Sequence, residues 1–220
     1  MAITPDSVKE LLNSEDYGDR LRAVNQFREL DTADAFELAQ RAANDGNARV
    51  RYAAISQLPS IAHGDPTAVE SLLRRALTND PEPDVQAAAA DAIGGLQLCS
   101  VYDDLAAVYD SSGEWLVRFS IVAALGELGE PRAFTLLQEA LNSDNELIAT
   151  AAIGALGELQ DDRALPLLLN YINHPDWQVR HRLVQALAQY AQPEAQKALQ
   201  NLTQDNSEIV AEAARQHLGN

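Results

Sequence analysis

Val50-Arg51-Tyr52-Ala53-Ala54-Ile55-Ser56-Gln57-Leu58 places apolar residues at its first, fifth, sixth and ninth positions. These positions share one face of a 3.6-residue helix, so the stretch predicts an amphipathic helix. The same form returns as Val117-Arg118-Phe119-Ser120-Ile121-Val122-Ala123-Ala124-Leu125. It returns again as Ile148-Ala149-Thr150-Ala151-Ala152-Ile153-Gly154-Ala155-Leu156 and as Val179-Arg180-His181-Arg182-Leu183-Val184-Gln185-Ala186-Leu187. Looser copies begin at Asp19, Val85 and Val210. The seven anchors, 19, 50, 85, 117, 148, 179 and 210, are spaced by 31, 35, 32, 31, 31 and 31 residues. Such a period marks a solenoid, whose units bury their apolar faces only by stacking on one another.

Each copy reads as two helices. Three residues before each anchor stands Asp16, Asn47, Glu82, Glu114, Asn145, Asp176 or Ser207. A short polar side chain there accepts from the free N–H groups of the first turn, and the two Glu suit the positive end of the helix dipole. A second amphipathic run precedes each of these helices, for instance 133–141 and 163–171. Pro66 and Pro131 suit the opening turn of such runs, and the connection Gly126-Glu127-Leu128-Gly129-Glu130-Pro131-Arg132-Ala133 supplies Gly to end the helix before. The expected fold is all-α: an α-solenoid of about seven HEAT-like helix pairs in one domain, 1–220. Helices over about 5–12 and 208–218 act as caps, and the longer spacing is taken up by a loop at 59–66.

Asp and Glu number 33 against 16 Lys and Arg, a net charge of −17. This argues against nucleic acid and anionic membranes as partners, because both require clustered Lys and Arg. No apolar stretch of about 18 residues suits a membrane span. The opening Met-Ala-Ile-Thr-Pro-Asp lacks the basic and apolar regions of a signal peptide, so the expected address is the cytoplasm. The one cysteine, Cys99, excludes an intrachain disulfide and an all-Cys metal site. It has no His or Lys neighbour and is expected as a buried or half-buried packing residue. Nucleotide-binding and hydrolase motifs are absent. His63, His174, His181 and His217 include no His-Glu step and no pair four apart. No catalytic, metal or cofactor-binding residue is therefore expected.

One surface pattern stands out. Two residues before the anchor are Tyr17, Trp115 and Trp177; two after it are Tyr52, Phe119 and His181. These positions differ by four and share a helical face. The residue after the anchor is Arg in Arg20, Arg51, Arg118 and Arg180. Trp and Arg dominate binding hot spots, which makes Arg51, Tyr52, Trp115, Arg118, Phe119, Trp177, Arg180 and His181 the candidate binding residues. The same pattern also suits packing, with each Arg paired to a loop acid of the next repeat, and the residues leave both readings open.

The run Ile121-Val122-Ala123-Ala124-Leu125-Gly126-Glu127-Leu128-Gly129-Glu130-Pro131-Arg132-Ala133 resembles the HEAT-like repeats of phycobilin lyase subunits. Ile3-Thr4-Pro5-Asp6-Ser7-Val8, the run 19–26, the run 47–54 and Pro175-Asp176-Trp177-Gln178-Val179-Arg180 resemble the related NblB family of cyanobacteria, linked to phycobilisome degradation. The resemblance implies a role in dismantling the light-harvesting antenna during nutrient starvation. It implies phycobiliproteins, such as phycocyanin or allophycocyanin subunits, as partners, alongside other degradation adaptors or protease components. No resident cofactor is implied beyond transient contact with phycobilin. A protein-binding adaptor, a lyase-like protein that attaches or detaches bilin, and a scaffold for an unrelated partner all fit this reading. No acid/base pair or nucleophile able to cleave a thioether is evident, so the adaptor is expected.

Overall fold

A computed structural model describes residues 3–61 and 65–219. Among the described residues the chain is helical, with no strand. The helices are α1 (Pro5–Leu12), α2 (Tyr17–Asn25), α3 (Thr32–Ala42), α4 (Ala48–Ile61), α5 (Pro66–Asn79), α6 (Pro83–Gly95) and α7 (Tyr102–Ser111). They continue as α8 (Trp115–Leu128), α9 (Ala133–Ala140), α10 (Glu146–Leu159), α11 (Leu165–Leu168), α12 (Trp177–Leu187), α13 (Pro193–Leu202) and α14 (Glu208–Leu218). All seven anchors fall in even-numbered helices. The chain divides into two compact units, 1–121 and 122–220, with the division inside α8.

In the first unit α4 packs against α2 and α6; in the second, α12 packs against α10 and α14. The anchor-plus-eight residues Leu58, Ile93, Leu125, Leu156 and Leu187 have no accessible surface. Phe27, Leu73, Leu77 and Leu105 complete the first core, and Leu137, Leu168 and Leu183 the second. Asp16, Asn47, Asn145 and Asp176 cap their helices by accepting the N–H two residues on, at 2.8–2.9 Å. Glu82, with its longer side chain, makes no such bond.

The structure corrects several details. Gly126, the first residue of the expected connection, lies inside α8. A Cβ there would sit 2.6 Å from the Ala155 Cα, and one at Gly157 would sit 2.5 Å from the Ala186 Cα. These glycines therefore let consecutive second helices approach backbone to backbone. The stop comes three residues later, at Gly129, φ +66°. Its counterpart Gln160 takes the same left-handed conformation, φ +53°, without the freedom of glycine. Pro131 stands in a turn before α9, not within it. The run 163–171 forms two 3₁₀ turns around the four-residue α11. Of the expected loop at 59–66, residues 59–61 belong to α4 and Pro66 opens α5 behind an Asp65 cap; 62–64, with His63, lie outside the described residues. Cys99 is exposed, at the head of a 3₁₀ turn between α6 and α7 rather than on a packed face.

Candidate functional site

The site begins in the turn that leads into each second helix. Five residues before the anchor are Ser14, Asp45, Asp80, Ser112, Ser143, His174 and Asp205. In every repeat that side chain accepts the backbone N–H two residues on, at 2.8–3.2 Å. This small turn holds the capping residue in place whether the acceptor is charged or neutral.

Where the acceptor is Asp, it takes a second role. Arg20 binds Asp45, Arg51 binds Asp80 and Arg180 binds Asp205, each through Nε and Nη2 at 2.7–3.0 Å. The third guanidinium nitrogen of each donates to carbonyls of the turn before its own helix: Ser14 and Glu15, Asp45 and Gly46, or His174 and Pro175. One planar fork thus ties a helix, its own turn and the next turn together. Burial pushes the Asp45 and Asp80 carboxyls up, but Arg20 and Arg51 outweigh it and hold both below the usual range. Arg180 holds Asp205 down against a smaller burial effect. Of the candidate residues, Arg51 and Arg180 are therefore engaged within the chain.

Arg118 is placed differently. Its guanidinium lies over the Tyr109 ring, 4.4 Å from the centroid, and its buried Nε has no hydrogen-bond partner.

The aromatic residues remain open. The large apolar side chains exposed among the described residues are Tyr17, Tyr52, Trp115, Leu147, Trp177 and Ile209. Each stands within the first five residues of a second helix. Phe119 and His181 are half-buried beside them in sequence. Leu147 and Ile209 were missed in the sequence; the signal was there, one residue before the anchor, where Leu116 also stands. In the first unit Tyr52 borders a groove of about 340 Å³ floored by Ala87 and Ala88 of α6 and bounded by Arg49, Asp91 and Leu116. Alanine at 87, where neighbouring repeats carry Tyr52 and Phe119, opens this space. Asp91 faces solvent on one side, yet the groove walls push its carboxyl above its ordinary range against a smaller opposing pull from Ser120.

Among the described residues no group of three or more His, Cys, Asp or Glu could hold a metal ion, and no helix is long and apolar enough to cross a membrane. The surface offers aromatic and aliphatic anchors at helix starts, with the Arg118 guanidinium near them, chemistry that suits binding.

HEAT repeats match residues 4–79, 71–153 and 135–219. No curated protein matches the chain. Among solved structures, the CpcE–CpcF complex of phycocyanin lyase from Nostoc sp. PCC7120 is similar at a TM-score of 0.66 and 20% identity, over 99% of this chain and 94% of that one. An archaeal HEAT-like repeat protein from Thermococcus onnurineus NA1 is similar at 0.57 and 16%, over 99% and 96%. Kap121p, solved bound to Nup53p, is similar at 0.65 and 17%, over 97% of this chain and 26% of its own. At these identities the likeness is one of fold.

Proposed function

The chain belongs to the HEAT-repeat family, and on that premise we propose that it is a non-catalytic adaptor of the NblB kind. It binds phycobiliproteins of the light-harvesting antenna in the cytoplasm, with phycocyanin or allophycocyanin subunits as partners, and aids their disassembly under nutrient starvation. The observation that carries this reading is the set of exposed apolar side chains at the starts of the second helices, above all Trp115 and Trp177 at 48% and 40% exposure. A soluble chain rarely leaves both of its tryptophans so open unless a partner covers them. The phycobiliprotein partner is supported by the quoted sequence resemblance and by the fold shared with the phycocyanin lyase complex. That likeness also keeps a second reading alive, a lyase-like protein that moves bilin on or off its cysteine.

Size-exclusion chromatography with visible absorbance separates the two. Purified protein mixed with phycocyanin should co-elute with it while the bilin spectrum stays unchanged. Loss of bilin without a protease would favour the lyase. Failure to co-elute with phycocyanin or allophycocyanin would leave a scaffold for an unrelated partner.

A further inference from the structure

The residue after the anchor runs Arg20, Arg51, Gln86, Arg118, Ala149, Arg180 and Ala211. The next repeat's turn residue runs, in step, Asp45, Asp80, Ser112, Ser143, His174 and Asp205. The two columns match in charge almost throughout: Arg where Asp follows, neutral Gln86 where Ser112 follows, neutral Ala149 where His174 follows. Arg118 breaks the rule, because the residue in the acid's register is Ser143. Ser143 still accepts the Asn145 N–H at 3.2 Å, so the turn is kept and only the charge is missing.

The consequence is visible at Arg118. Its three counterparts each hold a carboxylate in a two-nitrogen grip, whereas Arg118 rests on the Tyr109 ring with a buried, unpartnered Nε. A buried N–H without an acceptor destabilises the fold, more so on a charged group. In a chain with twice as many acids as bases, an internal partner would be easy to supply. Trp115 lies three residues before Arg118 on α8, on the same helical face, and is exposed.

We propose that Arg118, backed by Tyr109 and flanked by Trp115, is a receptor for an Asp or Glu carboxylate of a partner protein. The ligand supplies the kind of carboxylate that Asp45, Asp80 and Asp205 supply to the other arginines, and that precedent selects a carboxylate over other anions. The apolar flank is covered by the segment that carries it. This inference rests on reading the face as a protein-docking surface, but not on the partner being a phycobiliprotein.

The test has two parts. Thermal unfolding of Arg51→Gln should show a clear loss of stability, and of Arg118→Gln little or none. Equal losses would show that Arg118 has a structural partner and would overturn the proposal. In the second part Trp115 emission is followed in protein carrying Trp177→Phe. Glutarate should give a saturable response that weakens by roughly tenfold or more in Arg118→Gln and is partly retained in Arg118→Lys. Chloride and phosphate at matched ionic strength should not reproduce it. No saturable response, or an equal response to phosphate, overturns the carboxylate assignment. A glutarate response without phycocyanin binding sinks the antenna reading and keeps this one; phycocyanin binding indifferent to Arg118→Gln overturns this one alone.

Discussion

Arg180 and Asp205 show what a single side-chain pair does in this chain. They are 8% and 7% exposed, and removing one partner leaves the other buried and charged. Arg180→Gln should cost about 3 kcal/mol or more. Arg163→Gln, which breaks the open pair with Asp161, should cost less than about 1 kcal/mol; urea unfolding of both variants checks the contrast. The same carboxylates set the response to acid. Asp45, Asp80 and Asp205 titrate below their ordinary range, so their contribution is fully present above the unfolded value near ~3.9 and is lost as pH falls through the folded values. Asp91 and Glu158 do the opposite. Burial raises both, Glu127 adds to the rise at Glu158 against Arg182, and stability is gained as they take up protons. The urea midpoint should therefore rise as pH falls from neutral towards the unfolded values near about 4 and drop below them. The Asp91→Asn, Glu158→Gln double variant should shrink the rise and leave the drop; an unchanged profile would contradict the assignment. The arginine column was legible in the sequence, and pairing with a loop acid of the next repeat was one of its two readings; the choice between the two was not legible. The acids lie 25 to 29 residues further on, and only the stacking of repeats brings them within reach.

The helices themselves were largely written in the periodicity, because each second helix needs a full apolar stripe to bury. Leu156, read as an interior position, has no accessible surface, and Leu156→Ala should cost about 2–5 kcal/mol. Helix ends were less legible. Gly126 looks like the start of a connection in a one-dimensional reading, since nothing in the sequence says that Ala155 will lie against it. Closeness of approach distinguishes the glycines of α10. At Gly154 an added Cβ meets only the flexible Arg182 side chain, at 3.1 Å, so Gly154→Ala should be neutral or stabilising by up to about 1 kcal/mol through helix propensity. At Gly157 the Cβ meets the Ala186 backbone, and Gly157→Ala should destabilise by about 1–3 kcal/mol as α10 and α12 are forced apart. Thermal unfolding that ranks the two variants the other way would refute close backbone packing as the reason for glycine at 157. The run 163–171 carried the right apolar spacing, yet Pro166 lies within it, and the chain divides into short turns.

Among the described residues, the exposed large apolar side chains are confined to the first five residues of the second helices. Tyr17, Tyr52 and Trp115 of the first unit were legible as an aromatic column. Leu147 and Ile209 of the second were not, because one residue before the anchor an aliphatic side chain looks like core. The common place of these side chains at the starts of second helices makes this exposure a property of the repeat rather than of one helix. Arg20, Arg51 and Arg180 hold successive turns together, and in the proposed function the aromatic residues beside them meet the partner. Calorimetric titration of phycocyanin with the wild type and with the Trp115→Ala, Trp177→Ala double variant, each checked for helical circular dichroism, measures this directly. The folded double variant should bind more weakly by more than about 1 kcal/mol. Undiminished binding by the folded variant, or unfolding that shows the tryptophans to be core, would contradict it.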